Sequence, residues 1–398
     1  MDVWIPALAG AVPVAATGLA WAAARRRNMD RWLVPFLAQR LTRPGPRPGD
    51  RVSLLLCVAD HFEPRHDARS PQQTRDRVTR WVTEYPRQFG DFRDSDGRPP
   101  RHSFFYPIEQ YDRWEVDRIA DLCARGYGEV EVHLHHDNDT ADNLRRTLTD
   151  ATAHLSDRHG LLGRDRRTGA VKYGFIHGDW ALANSRPDGR CCGVEGELAV
   201  LRETGCYADF TFPSAPERNQ PRVINCIYYA RCASGGRGVH ATGVIAGTAL
   251  PPDDGLLLIP GPLGLDWRRR KWRVVPRIEN ACVQGTQPPH IDRLGPWLSA
   301  RVQVPTRPDW FFVKLHTHGA PEENQAVVLG EPMRQFHREL ARRAEADPGF
   351  TFHYVTAREM YNLARAAAAG WTGGVAEARD YELVACGCRT AVEPQGVS

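Results

Sequence analysis

The fold of this chain follows from residues 52–63, which read VSLLLCVADHFE. Residues 52–58 form an apolar run of the kind expected for a strand that is buried on both faces of a parallel sheet. The run passes directly into three ionisable residues, Asp60, His61 and Glu63. Because sites in parallel α/β proteins form at the carboxyl ends of the strands, this stretch predicts both the architecture and the place of the chemistry.

Strands and helices alternate along the rest of the chain. Repeated βα units of this kind predict a parallel sheet, which is either closed into a barrel or doubly wound. The predicted strands cover residues 102–106, 129–133, 171–176, 207–212, 223–229, 256–259, 310–315 and 351–355, and the predicted helices cover residues 72–89, 113–125, 139–158, 194–204, 332–346 and 357–369.

Histidine and aspartate residues recur at the carboxyl ends of three more of these strands. A single histidine in such a place is more often a hydrogen-bonded structural residue than a ligand, but several strand ends of this type favour a shared site. The residues are His133, His135, His136 and Asp137 on the strand at 129–133, His177, Asp179 and Trp180 on the strand at 171–176, and His316 and His318 on the strand at 310–315.

The chemistry that this pattern favours is that of a catalytic divalent metal ion. In an extended segment His133 and His135 point the same way, because side chains alternate with period two, so that both can bind one ion. Asp137, or a carboxylate from the first strand, would add charge and leave a position open for water. Nitrogen ligands favour zinc, while Mn, Co, Ni and Fe remain open.

Proton transfer at such an ion needs a base and an acid. Asp60 is placed to take the proton from water, with Glu63 close by in the sequence. His316 or His318, on a separate strand, would protonate the leaving group.

The order of these motifs resembles that of polysaccharide deacetylases, carbohydrate esterases with a distorted, incomplete β/α barrel. Residues 58–61 (VADH) resemble the motif that ends the family's first strand, and residues 131–137 (EVHLHHD) resemble the His-x-x-x-His motif of its third. Residues 314–318 (KLHTH) resemble the late Leu-x-x-His motif. The resemblance spans about residues 51–365 and implies an α/β fold with a distorted or incomplete barrel of this type.

The chain departs from the family's pattern at two ligand positions. His61 stands where the family has a second aspartate, and Asp137 stands where it has the second histidine of the third-strand motif. By position, the resemblance implies that Asp60 is the base and that His316 or His318 is the acid. It implies three metal ligands, His61, His133 and Asp137, with His135 as an alternative. The implied substrate contacts are His177, Asp179, Trp180 and Tyr228.

The implied activity is the removal of an N-acyl group, in the first place N-acetyl, from an amino sugar in glycan or exopolysaccharide biosynthesis. A glycan or a lipid-linked sugar would be the substrate. Trp180 and Tyr228 can stack on a sugar ring or pack in the core. The departures at His61 and Asp137 leave a second hypothesis open, a catalytically altered protein that binds a glycan or acts as a scaffold at the membrane.

The N-terminus predicts a location. Residues 3–24 carry no charge and are long enough to cross a bilayer, and three arginines follow directly. The positive-inside rule then predicts a membrane-anchored protein with a cytoplasmic catalytic domain, whereas signal-peptide cleavage would make it secreted or cell-surface. The pattern of residues 29–41 predicts a short interfacial helix. The predicted organisation is a transmembrane or signal-anchor helix at 1–24, a basic interfacial segment and Pro/Gly linker at 25–50, the barrel at 51–365 and a C-terminal tail at 366–398.

Composition excludes several classes of protein. The 398 residues include 52 basic and 48 acidic ones, and a net charge of +4 is too small to indicate nucleic acid as a partner. A mean hydropathy of −0.47 excludes a polytopic membrane protein.

Ten cysteines without a Cys-x-x-Cys pair predict reduced, mostly buried thiols. The basic run at 266–273 is either a solvated face or a contact for anionic lipid headgroups or a phosphate-bearing substrate.

Overall fold

A computed structural model of the chain describes residues 21–43, 45–232 and 236–386. In this part of the chain, twelve strands form one large sheet and two further strands form a hairpin. The strands are β1 (Val52–His61), β2 (His102–Pro107), β3 (Gly128–Leu134), β4 (Gly163–Asp165), β5 (Val171–His177), β6 (Cys206–Asp209), β7 (Tyr228–Arg231), β8 (Val244–Ile245), β9 (Gly255–Leu258), β10 (Gly264–Lys271), β11 (Val275–Glu279), β12 (Trp310–Thr317), β13 (Phe350–Tyr354) and β14 (Leu383–Ala385).

Several helices begin at a polar residue whose side chain accepts a backbone N–H of the first turn. Ser70, Asp112 and Thr140 cap helices in this way, and Thr356 forms a capping box with Glu359. The helices are α1 (Leu33–Thr42), α2 (Pro71–Phe89), α3 (Arg113–Ala124), α4 (Ala141–Ala153), α5 (Glu197–Glu203), α6 (Leu294–Ala300), α7 (Glu322–Val328), α8 (Glu331–Ala346), α9 (Ala357–Ala368) and α10 (Val375–Ala378).

The large sheet has the strand order β12-β1-β2-β3-β5-β6-β9-β7-β8. Neighbouring strands are parallel from β12 to β9, whereas β7 runs antiparallel to both β9 and β8. In addition, β13 pairs with β1, and β4 links β5 to β14 near the end of the described chain. Strands β10 and β11 form the separate antiparallel hairpin.

The parallel pairing brings the carboxyl ends of four strands to one edge of the sheet. Asp60 of β1 lies opposite Thr317 of β12, and Leu134 of β3 lies opposite His177 of β5. The polar residues that follow these strands therefore emerge on the same side of the molecule.

Strand β1 is buried on both faces, as its apolar run predicts. Leu54 and Leu56 pack into one hydrophobic core together with Trp81 of α2, while Leu55 packs into a second core together with Met360 of α9. Because successive side chains of a strand point to opposite faces, one continuous apolar run supplies both cores. This confirms the sandwiched central strand that residues 52–58 predict.

The predicted distorted or incomplete barrel is wrong, because the described strands form an open sheet with β12 at one end and β8 at the other. Strand β7 lies antiparallel to β9 and ends the parallel winding. Strand β13 pairs with the first half of β1 instead of extending the sheet at its end. An apolar run predicts that a strand is buried, but neither its direction nor its partner, and closure depends on both.

The predicted membrane-spanning helix is corrected as well, and with it the membrane-anchored location. No helix among the described residues is long and apolar enough to cross a bilayer. Residues 1–20, which hold most of the predicted span, lie outside the described part of the chain.

The predicted interfacial helix at 29–41 packs its large aromatic residues against the protein. Trp32 is wholly buried and Phe36 is nearly so, in a small cluster with Ala215, Ile224 and Leu263. An amphipathic pattern over ten residues does not distinguish a membrane interface from a protein surface, since both present an apolar layer.

Glu131 of β3 is a carboxyl group buried in the sheet. Its Oε1 accepts a hydrogen bond from the Tyr207 hydroxyl at 2.6 Å, and its Oε2 accepts one from the Gly174 N–H at 2.5 Å. Burial raises the pKa of Glu131 to about 8, although both hydrogen bonds oppose the shift. The folded protein therefore keeps this carboxyl mostly protonated near neutral pH.

We expect the stability of the folded protein to fall between about pH 5 and about pH 8, and Glu131→Gln to remove part of this fall. The folded state holds the Glu131 proton to about pH 8, whereas the unfolded chain releases it near pH 4.5. Rising pH thus favours the unfolded state, by about 2 to 4 kcal/mol over this interval. Urea unfolding of both proteins at the two pH values measures the effect, and an identical pH dependence would contradict it.

Candidate metal centre

The structure brings together side chains from the ends of β1, β3, β5 and β12. The ring of His61 lies 4.9 Å from that of His133 and 4.6 Å from that of His318, measured between centroids. Trp180, directly after β5, lies 6.1 Å from both His61 and His318. Four residues that the sequence assigns to one site are therefore neighbours.

Three buried residues, His61, Glu63 and His133, form a group that we call the triad. One possible ligand atom from each lies within 4.8 Å of the others. Nε2 of His133 lies 2.9 Å from Oε1 of Glu63. Two imidazoles and a carboxylate are the ligand set of several catalytic zinc sites, in which the fourth position stays open for water or substrate.

The hydrogen bonding of His133 supports a cation in the triad. Its Nδ1 lies 2.8 Å from the carbonyl oxygen of Ile176, which can only accept, so that Nδ1 carries the proton. Nε2 then presents a lone pair to the Glu63 carboxylate. Only a proton or a metal ion between the two relieves this contact, so the donor set fits a divalent ion.

The charges in the triad suit metal binding, which requires neutral imidazoles and an ionised carboxylate. Burial opposes ionisation of Glu63, but a proton on Nε2 of His133 would donate to Glu63 and bring positive charge, which lowers the pKa of Glu63 to about 2. A divalent ion would take the place of that proton and leave His133 neutral. Burial and the neighbouring rings of His318 and His133 hold the pKa of His61 well below its usual range.

A cleft of about 530 Å³, a volume typical of small-molecule sites, lies next to the triad. His318 and Trp180 of its wall contact His61, while no triad residue itself lines it. Its lining includes two histidines and a tryptophan from the strand ends, and three cationic side chains from the N-terminal segment and the β10–β11 hairpin. These residues are His316, His318, Trp180, Arg27, Lys271 and Arg277.

Three polar atoms on the wall of this cleft have no hydrogen-bond partner among the described residues. They are Nδ1 of His316, Nε1 of Trp180 and Oγ of Ser214, and all three atoms are buried. Buried polar atoms are nearly always hydrogen-bonded, so unpartnered ones beside a cleft are candidates for contact with a bound molecule.

Asp60, the predicted base, lies behind the cleft wall. It is wholly buried, its Oδ1 accepts the Gly319 N–H at 2.6 Å, and its Oδ2 lies 2.9 Å from Nε2 of His102. Gly319 directly follows His318, so this hydrogen bond fixes the backbone next to the cleft histidine, His318. Burial holds the pKa of His318 below its usual range.

Two predicted ligands take other positions. His135 comes after the end of β3, so the two-residue alternation no longer aligns it with His133. Its Nδ1 lies 2.7 Å from Glu109, and its Nε2 lies 3.6 Å from Oε1 of Glu63, at the border of the triad. Asp137 has a side chain that is 45% exposed and accepts the Cys191 N–H at 2.7 Å, so the structure does not bring it to the triad.

The four predicted substrate contacts lie in four different places. Trp180 lines the cleft, whereas the side chain of Tyr228 is buried in the core and donates to the carbonyl of His240 at 2.7 Å. Asp179 is exposed beside Trp180 and does not line the cleft. His177 belongs to a different cluster of ligand-type side chains.

Glu63 is the ligand that the sequence reasoning did not assign. β1 ends at His61 and β3 ends at Leu134, so Glu63 and His135 both follow their strands and the two-residue alternation does not decide between them. The contacts of the folded chain do, because Oε1 of buried Glu63 lies 2.9 Å from Nε2 of His133, whereas Nδ1 of His135 is engaged by Glu109. His102, the partner of Asp60, begins a strand and carries no comparable sequence signal.

No protein-family model matches the chain, and no curated protein or solved structure matches it. The resemblance to polysaccharide deacetylases therefore stays a prediction from the order of the motifs. The triad, the cleft and the side chains around them are the features of this protein that indicate a function.

Proposed function

We propose that this protein is a metal-dependent hydrolase that removes an N-acyl group, in the first place acetyl, from an amino sugar. The observation that supports this most is the buried triad of His61, Glu63 and His133 beside a cleft. Three protein ligands leave room for water or substrate on the ion, as catalytic sites require.

A divalent ion held by the triad would polarise the acyl carbonyl and lower the pKa of the attacking water. The protein would supply proton transfer. His318 lines the cleft and contacts His61, and we assign it the transfer of a proton from water to the sugar nitrogen. The water oxygen bonds to the acyl carbon, the C–N bond breaks, and the amine leaves with the proton that His318 carried.

Asp60 is assigned as a positioning residue in this proposal. It holds the Gly319 N–H and thereby orients the preceding His318, while His102 holds the other carboxylate oxygen. Orientation of a proton-transfer group by a buried carboxylate is a recurrent device in hydrolases.

The substrate class follows from the resemblance and is supported by the cleft. Trp180 offers an aromatic face and an unpartnered N–H on the cleft wall, a combination suited to a sugar. His316 offers a second unpartnered nitrogen. The cationic residues Arg27, Lys271 and Arg277 favour a substrate that carries negative charge, such as an anionic glycan or a phosphate-linked sugar.

Asp60→Asn is expected to lower turnover by about 10²-fold or more and to leave the ion in place. Asparagine can still accept the Gly319 N–H at its one oxygen, but it then places an amide nitrogen against Nε2 of His102 and carries no charge behind His318. Steady-state kinetics with metal analysis measures both effects. Asp76→Asn, at an exposed carboxylate of α2, is the matched control and should not change turnover.

The proposal is tested by acetate release from oligomers of N-acetylglucosamine and from anionic N-acetylated glycans. The full chain is loaded with zinc and compared with Glu63→Gln, which keeps the size of the side chain and removes its charge. We expect release from the wild type and none above background from the variant. A zinc-loaded wild type that binds these glycans without releasing acetate would instead support the catalytically altered glycan-binding protein.

A further inference from the structure

A second cluster of ligand-type side chains lies outside the cleft wall. It comprises His136 after β3, His177 at the end of β5, Cys192, and Glu197 at the start of α5, and their donor atoms lie within 4.8 Å of one another. His177, Cys192 and Glu197 are fully buried, and the side chain of His136 is 7% exposed. None of the four lines the cleft described above.

The imidazole rings of His136 and His177 face each other through their Nε2 atoms. Their Nε2 atoms are 2.9 Å apart, and Oε1 of Glu197 lies 3.2 Å from each. Nδ1 of His136 faces a carboxylate oxygen of Asp139 at 3.0 Å, and Nδ1 of His177 faces the carbonyl oxygen of Gly178 at 2.5 Å. Because those oxygens only accept, both Nδ1 atoms carry protons, and in the neutral rings that bind metal ions both Nε2 atoms present lone pairs.

Such an arrangement needs a positive charge at its centre. Two lone pairs and a buried carboxylate oxygen repel one another at these distances unless a cation lies between them. A proton on one Nε2 atom can also supply this charge, whereas a metal ion would use all four ligand atoms of the cluster. The sulfur of Cys192 is a fourth possible ligand atom, which lies within 4.8 Å of the other three and 3.5 Å from Oε2 of Glu197.

We infer that His136, His177, Cys192 and Glu197 hold a structural divalent metal ion, for which zinc is the best match. Zinc takes these ligand types at about 2.0–2.3 Å, so a tetrahedral ion keeps its ligand atoms about 3.3–3.8 Å apart, close to the spacings here. Four protein ligands close the coordination shell, whereas the triad leaves it open. The Nδ1 contacts of both histidines supply the orienting partners that metal-bound histidines usually have.

The inferred ion would fix the loop that carries one wall of the cleft. It joins the ends of β3 and β5 and the start of α5 to the segment between His177 and Cys192. Five non-glycine residues of that segment have left-handed backbone angles, which persist only where the surroundings fix them: Asp179, Trp180, Ala183, Asn184 and Cys191. Trp180 lines the cleft, and the Ala183 N–H donates to Glu197.

Cobalt(II) is the probe that distinguishes the two sites, because only the second one contains sulfur. We expect cobalt binding to the full-length wild type to produce a thiolate-to-cobalt charge-transfer band. Cys192→Ser should lose the band and one bound ion per chain. Cys191→Ser, at the neighbouring cysteine, is the matched control and should keep both.

A second measurement uses only the wild type, so its result does not depend on whether a variant folds. Zinc K-edge absorption of the zinc-loaded wild type should show a sulfur neighbour at about 2.3 Å. Hydrogen exchange should also show that removal of the metal opens residues 178–193. Absence of both the cobalt band and the sulfur neighbour in the folded wild type would overturn the inference and leave a shared proton in the cluster.

Failure of this inference is distinguishable from failure of the proposed function. His61→Ala is expected to remove the triad ion and hydrolysis while the cobalt–thiolate band remains. A protein that shows the band but neither a second ion nor acetate release would keep the structural site and refute the hydrolase.

Discussion

Replacing His133 with alanine is expected to remove the ion from the triad and to lower hydrolysis by roughly 10³-fold or more. His133 is wholly buried, and its Nε2 faces Glu63 at 2.9 Å while Ile176 holds its other nitrogen. His61 and Glu63 alone are too few ligands to retain a catalytic ion. Loss of an orienting partner alone costs about 10- to 100-fold, so loss of a ligand should cost more.

Elemental analysis and acetate release, measured on the same preparation, check this result. His135→Ala is the matched control, because His135 lies next to the triad but is engaged by Glu109 and is one-third exposed. It should keep the ion and most of the activity. Equal loss of metal in the two variants, or full activity in His133→Ala, would show that the triad is not the metal centre.

Arg379→Met is expected to destabilise the fold by about 3 to 5 kcal/mol. The Arg379 guanidinium is 1% exposed and contacts Asp94 at 3.2 Å, Asp96 at 2.7 Å and Glu359 at 3.2 Å. It also donates to the carbonyl of Tyr354 at 2.7 Å. Methionine fills similar space but leaves two buried carboxylates short of a partner, which is the costly case for a buried ion pair.

Urea unfolding near neutral pH measures this difference. Arg338→Met is the comparison, because its partner Glu331 is 66% exposed and such surface pairs contribute about 0–1 kcal/mol. A loss of less than about 1 kcal/mol in Arg379→Met would mean that residues near the end of the described chain do not hold β13 and α9 in place.

The strand ends of the site were predictable because burial and alternation act over a few neighbouring residues. The run at 52–58 predicts the central strand, and the polar residues after it lie at the edge where His133 and His318 also emerge. Parallel pairing then brings together residues that are distant in the sequence.

The ligand set was predicted only in part, because it depends on where each strand ends. Residues 129–134 are extended, so His133 points into the site, whereas His135 lies at the border of the triad and Asp137 is exposed. Glu63 takes the third place because the chain after β1 keeps it near His61. A difference of one residue in the end of a strand changes which side chains face the site.

The open sheet and the second metal cluster were not predictable from local pattern. Antiparallel pairing of β7 with β9 depends on partners chosen in three dimensions. His136, His177, Cys192 and Glu197 have no characteristic spacing, and each has an ordinary explanation when considered alone. Only the facing Nε2 atoms in the folded chain indicate that the four residues act together.

An anomalous-difference map from crystals of the zinc-loaded full-length protein tests the metal centre most directly. We expect a peak for one zinc ion at about 2.0–2.2 Å from each of three ligand atoms: a ring nitrogen of His61, Nε2 of His133 and a carboxylate oxygen of Glu63. Zinc-loaded crystals without a peak at the triad, in which His133 remains hydrogen-bonded to Glu63, would contradict the metal centre and the hydrolase proposed from it.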